Sequence, residues 1–275
     1  MTYKTLLVNL DIGSGDSGLL YVAAELADRF DADVIGSATC QPIQLYYGDG
    51  FISGDLVQQD IAEIDRALAR TEHRFRSAFG KRSGRIEWHA AVTFAPLSDA
   101  LIKDARSADL IISAADMYGQ SNSAHHVNCS DLVMQAGRPV LVVPENVRTL
   151  PLHRILVGWK DTKEARRAVS DALPLLKLGY NVVVAEFVPP AEIADAKIRL
   201  ASVVTWLSRH GIVAQAEAIP SNGDHHSEML SFAQSREADL VVAGAFGHSR
   251  LREWVLGGVT RGLLANTQIC SVMSH

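Results

Sequence analysis

Cysteine, surplus positive charge and long apolar runs are all scarce in this chain, and each shortage removes a class of protein. Only Cys40, Cys129 and Cys270 occur among 275 residues. An odd number at such wide spacing supports no disulfide framework and fits a reducing compartment. Lysine and arginine number 26 against 31 aspartates and glutamates, a formal charge of −5. No concentrated basic face of the kind that non-specific nucleic-acid binding requires is visible, so no nucleic-acid partner is expected. No run of 18 apolar residues occurs, and Met1–Lys4 leads directly into the apolar segment Thr5–Leu10. This predicts neither a membrane span nor a signal peptide, and a cytoplasmic protein with no membrane partner. Familiar chemical motifs are missing too: there is no Gly-x4-Gly-Lys-Ser/Thr, no Gly-x-Gly-x-x-Gly after the first strand and no Gly-x-Ser-x-Gly. Cys129 and Cys270 lack a local base or a Cys-x-x-Cys partner, which argues against nucleophilic or redox roles.

What the chain has is a repeat. With 48% hydrophobic and 21% charged residues, it can bury two cores, and its length suits two modest domains. Thr5–Asp11 corresponds to Arg154–Lys160 at an offset of 149, and Asp109–Ser113 to Asp239–Ala243 at an offset of 130. The first copy is therefore 19 residues longer between those points, and the surplus falls at Gln41–Asp60, a stretch rich in Gly and Tyr. Apolar runs predict strands at Thr5–Leu10, Asp33–Ala38, Ile86–Ala91, Asp109–Ala114 and Val140–Val143. The second copy predicts them at Ile155–Trp159, Asn181–Phe187, Val213–Ala218, Asp239–Ala243 and Ile269–Met273. Periodic polar and apolar segments between the strands read as helices, and such alternation means parallel strands joined by right-handed crossovers. Pro144–Pro151 is a polar linker bracketed by prolines. The expected fold is α/β, two open, doubly wound, five-stranded parallel sheets in tandem, with domains at 1–146 and 152–275. An unpaired final strand such as Val140–Val143 would be an aggregation-prone edge, which pairing with Ile269–Met273 would cover.

The most informative stretch is Gly244-Ala245-Phe246-Gly247-His248-Ser249, with Gly257-Gly258-Val259-Thr260 following. It leaves the end of a predicted buried strand and precedes a predicted amphipathic helix at Val259–Ala265. Bare backbone beside the first turn of a helix forms an anion cradle, and a phosphate is the natural anion. At the carboxyl edge of the sheet it stands where open α/β folds bind ligands. The spacing Gly-x2-Gly-x9-Gly plus a small residue, together with the run Gly247–Arg261, resembles the ATP-binding signature of the universal stress protein family.

That resemblance implies a regulatory protein that binds ATP, with Mg²⁺, in its second domain and responds to energy or stress state. The nucleotide would lie on Gly244, Gly247, His248, Ser249, Gly257, Gly258, Val259 and Thr260, near Lys160 and Asp161. Any hydrolysis would be slow, because no base or arginine finger is evident. Tandem members of the family resemble a single-domain dimer fused into one chain, and further homodimerisation or protein partners remain open. This sequence departs from the family pattern in two places. Gly258 stands where a Ser or Thr is usual, which removes a hydrogen bond that Thr260 partly replaces. Lys160 stands where nucleotide-binding members usually carry an Asp at the end of strand one, and Asp11 holds that place in the first copy.

The first copy lacks the glycines. Ser113–Gln120 and Asn128–Asp131 replace them, side chains at 114–117 would crowd a triphosphate, and Asp116 and Asp131 would repel it. The first domain is read as degenerate. His125, His126 and Cys129, and likewise Asp224, His225 and His226, lack the paired spacing of a zinc site, so no metal is expected. Trp254 reads as a packed aromatic. Two other readings stay open: a nucleotide-free interaction module that uses the Gln41–Asp60 loop with Leu45, Tyr46, Tyr47 and Phe51, or the same cleft holding a different phosphorylated ligand.

Overall fold

The computed structural model describes residues 2–13, 17–42, 54–80, 85–116, 124–245, 263–264 and 268–275. The first half runs β1 (Thr5–Asn9), α1 (Ser17–Phe30), β2 (Asp33–Cys40), α2 (Gly54–Ala78), β3 (Ile86–Val92), α3 (Leu97–Asp104), β4 (Leu110–Ala114), α4 (Cys129–Gln135) and β5 (Val140–Val143). The second half runs β6 (Arg154–Trp159), α5 (Lys163–Asp171), α6 (Leu173–Leu176), β7 (Asn181–Val188), α7 (Ile193–Arg209), β8 (Ala214–Pro220), α8 (His225–Ser235), β9 (Leu240–Gly244) and β10 (Cys270–Ser274). Every expected strand is present, with ends shifted by at most two residues.

The ten strands form one sheet in the order β3-β2-β1-β4-β5-β10-β9-β6-β7-β8. Within each half all neighbours are parallel. At the centre β5 and β10 pair antiparallel, with Val142 opposite Ser271, Leu141 opposite Val272 and Val140 opposite Met273. The two five-stranded sheets thus share their final strands as a seam. Both strands are buried along their whole length, as strands covered on both faces must be.

The repeated aspartates have a structural duty. The Asp109 carboxylate accepts from the Lys4 and Thr5 backbone N–H groups at 2.7 and 3.0 Å. Asp239 does the same for His153 and Arg154 at 2.6 and 2.8 Å. Each aspartate fixes where the first strand of its half begins beside the fourth.

Successive residues of a strand enter opposite cores. Leu6 and Val8 pack with α1 and α2, whereas Leu7 packs with α3 and α4. In the second half α5, α6 and α7 lie on the first of these faces, while α8, Leu263 and Leu264 lie on the other. The crossover after β1 therefore covers one face and the segment after β4 the other, and likewise after β6 and β9. Each half has a switch point at its carboxyl edge, between β1 and β4 or between β6 and β9, where such sheets open a crevice.

One expectation is corrected. The helical spacing of Val57, Ile61, Ile64 and Leu68 extends α2 back to Gly54, so Gly54–Asp60 is helix rather than inserted loop. Leu45, Tyr46, Tyr47 and Phe51 lie outside the described residues. No helix among the described residues is long and apolar enough to cross a membrane.

Candidate functional site

At the first switch point, just past β1, stands Asp11. His126 Nδ1 donates to its Oδ2 at 2.7 Å, and Nε2 donates to Asp116 Oδ1 at 2.9 Å. Since both ring nitrogens face carboxylates, both carry protons and the ring is an imidazolium. The three side chains are 9%, 15% and 17% exposed in the order His126, Asp11, Asp116. The hydrogen bond to Asp11, and then that to Asp116, raise the His126 pKa to about 10. Asp116 Oδ1 also accepts from the Cys129 backbone N–H at 3.0 Å, at the start of α4. Below this group Asn9 donates to Ser113 Oγ at 3.0 Å, and Cys129 Sγ donates to the Ala114 carbonyl at 3.0 Å.

The crevice of the first half thus carries its own cation between two carboxylates. From sequence, Asp116 is expected to repel a phosphate. In the structure it is answered within the fold by His126, a residue that the sequence offers only as part of an incomplete metal-ligand spacing. Among the described residues no group of three or more His, Cys, Asp or Glu could hold a metal ion. Burial pushes the Cys40 thiol to about 11 and the Cys270 thiol to about 12, and raises that of Cys129 well above its ordinary value. All three stay protonated and poorly nucleophilic.

The second switch point has a different construction. Lys160 follows β6 on the surface, and its carbonyl accepts from the Thr162 N–H at 2.7 Å. Thr162 caps α5 by accepting from the Ala165 N–H at 3.3 Å. Across the crevice Gly244 ends β9. A side chain there would run into the α5 backbone, since its Cβ would stand only 2.6 Å from the Glu164 carbonyl carbon. Gly244 is therefore accounted for by close approach of strand and helix, a reason beyond ligand contact. Ala245 continues the chain with its N–H on the Ser274 carbonyl at 2.9 Å and its carbonyl on His275 Nδ1 at 3.1 Å. The start of the glycine segment is tied down by the last two residues of the chain.

Of the ten residues expected to hold nucleotide, Lys160, Asp161 and Gly244 flank this crevice. Gly247, His248, Ser249, Gly257, Gly258, Val259 and Thr260 lie outside the described residues, as does Trp254. Asp161 pairs with Arg166 at 2.6 Å. Glu164, in the first turn of α5, is buried beside Gly244 and escapes a reading of the sequence. Its position at a helix N-terminus favours a carboxylate, but a lone Glu on an alternating helix gives no sign of burial. Asp224 caps α8 by accepting from the Ser227 N–H at 3.2 Å, and His225 Nδ1 lies 3.0 Å from Ser221 Oγ.

The two crevices are joined across the seam. The Asp116 N–H donates to the Leu264 carbonyl at 2.8 Å, and Ser271 Oγ donates to the Leu263 carbonyl at 3.2 Å. The helical turn that follows the glycine segment thus rests on the loop carrying the first half's Asp116.

Comparison with known proteins follows the same division. Residues 151–273 match the model of the universal stress protein family. The chain is similar over 98% of its length to a universal stress protein from Archaeoglobus fulgidus DSM 4304, covering 97% of it with a TM-score of 0.70 at 13% identity. A putative universal stress protein from Pseudomonas aeruginosa UCBPP-PA14 aligns over 99% of this chain and 93% of its own, with a TM-score of 0.58 at 17% identity. A functionally unknown protein from Pseudomonas aeruginosa PAO1 aligns over 99% and 92%, with a TM-score of 0.60 at 16% identity. No curated protein matches the chain. Residues 151–273 therefore form a domain of the universal stress protein family, and the fold of a two-domain universal stress protein extends over the whole length of the chain.

Proposed function

We propose that the chain is a regulatory protein that binds one adenine nucleotide, ATP by preference, in the crevice between β6 and β9. The observation that carries this reading is that Gly244, which opens the glycine signature in the sequence, ends β9 at the topological switch point, across from the end of β6 and Lys160. Backbone N–H groups of Gly247, Ser249 and Gly257–Thr260 would hold the phosphates, and the exposed Lys160 would add attraction near them. The missing hydroxyl at Gly258 weakens the grip by about 0.5–1.5 kcal/mol, or roughly two- to tenfold. In the first half the Asp11–His126–Asp116 group takes the corresponding ground, so no second nucleotide binds there. The protein's activity is then a change of state on nucleotide binding, with hydrolysis slow at most.

Native mass spectrometry of the intact chain with ATP and Mg²⁺ tests this. One nucleotide per chain, lost in Gly247→Ala, is expected. Absence of binding up to millimolar ATP would favour the second reading, in which the crevice takes another phosphorylated ligand or the pseudo-dimer surface serves protein partners. One observation leans that way: Glu164, whose backbone lies against Gly244, carries a buried side-chain carboxylate.

A further inference from the structure

Between α5 and α7, at the carboxyl end of β6, lies a cavity of about 530 Å³, within the size range of small-molecule sites. Its apolar walls are Trp159, Val169, Val203 and Trp206. Of the residues that flank the crevice at Gly244, only Asp161 also borders this cavity. The first turn of α5 lies against Gly244, and the helix packs over β9 and β10, whereas Trp159 faces the core shared by α5 and α7. The segment beyond Ala245 leads to Leu263 and Leu264 on the opposite face of the sheet.

Two arginines border the cavity, and they differ in how firmly they are held. Arg199 makes a double contact to the buried Glu186, with Nη2 at 2.9 Å and Nε at 3.2 Å from Oε1. That pair is part of the wall. Arg166 pairs with Asp161, and the two side chains are 57% and 55% exposed. A surface pair of that kind contributes little, so a ligand carboxylate can replace Asp161 on Arg166 at small cost. The guanidinium fork suits a carboxylate in particular. The indole N–H of Trp159 is shielded and has no acceptor among the described residues, an unusual state for a buried indole.

We propose that this cavity is a second ligand site, for a small planar aromatic acid. The ring lies against the indoles of Trp159 and Trp206, where aromatic faces favour offset or edge contact. The carboxylate takes Arg166 away from Asp161. The site stands whether or not the β6–β9 crevice binds nucleotide.

Calorimetric titration of the full chain with 2-naphthoate tests the proposal, with naphthalene-2-carboxamide as the neutral counterpart. Naphthoate is expected to bind, the carboxamide at least several-fold more weakly. Trp206→Ala should lower naphthoate affinity at least tenfold and Arg166→Gln several-fold, while Asp161→Asn should raise it by freeing Arg166 of its internal competitor. Val203→Phe, which fills the cavity and keeps both tryptophans, should abolish binding if Trp206→Ala fails to fold. Saturating ATP with Mg²⁺ should leave naphthoate affinity unchanged. The proposal is overturned by absence of binding up to millimolar naphthoate, by equal affinity in Val203→Phe and Arg166→Gln, or by competitive displacement with ATP.

Discussion

The two switch points of this sheet share a backbone plan and differ in what fills them. Between β1 and β4, Asp11 and Asp116 hold the His126 imidazolium, a group that keeps a net negative charge and disfavours an anion. Between β6 and β9, Lys160 replaces the aspartate, Gly244 brings strand and helix into close approach, and the glycine segment begins. One repeat unit thus gives two sites of opposite character. Charges that face each other within the fold need no ligand, whereas a glycine-rich junction beside an exposed cation favours an anion.

The comparison can be broken most forcibly at the cradle. Gly247→Ala or Gly257→Val should remove nucleotide binding from the intact chain with little change in its thermal melt, while Asp116→Asn should leave the stoichiometry unchanged in native mass spectra. Next in size is His126→Ala. Deleting the cation from a largely buried group leaves two carboxylates opposed, at a cost of about 3–5 kcal/mol. For a chain of this length that lowers the melting temperature by roughly 10 °C. Adding Asp11→Asn and Asp116→Asn to that variant should restore much of the loss.

Gly244→Ala should cost about 1–3 kcal/mol, because the added methyl meets the α5 backbone and strand or helix must shift. Chemical denaturation measures it. Alkaline titration sharpens the contrast between the halves. The folded-state pKa of His126, about 10, lies above the unfolded value of about 6.5. Its contribution is therefore complete below pH 6.5 and is lost as the pH rises through about 10. The stability gap between wild type and His126→Ala should shrink over that window. Smallest is Lys160→Asp, which should weaken ATP binding several-fold without changing stability, since Lys160 is exposed.

The sheet is legible in the sequence because its signals are local or repeated. Buried strands such as Leu110–Ala114 and Leu240–Gly244 are short apolar runs between polar stretches, and the paired Asp109 and Asp239 recur in corresponding places of the two copies. The β5–β10 seam follows from asking what covers an apolar edge. The candidate site is less legible, because its groups meet only in space. His126 finds Asp11 115 positions away, and nothing in the dipeptide His125-His126 says which ring turns inward. Trp159 and Trp206 border one cavity only because β6 and α7 are neighbours. Gly244 reads as ligand-facing backbone, and its close approach to Glu164 and Ala165 depends on where α5 begins. The start of α2 is obscured for another reason, since glycine and tyrosine around Gly48–Gly54 hide an apolar spacing that already runs into the helix.

The measurement that bears most directly on the asymmetry of the two crevices is the number of nucleotides held per chain, read by native mass spectrometry at saturating ATP and Mg²⁺ for wild type and Gly247→Ala. One nucleotide in the wild type and none in the variant is the predicted result. Two in the wild type, with one surviving Gly247→Ala, would show that the crevice of Asp11, His126 and Asp116 admits nucleotide and would contradict the account.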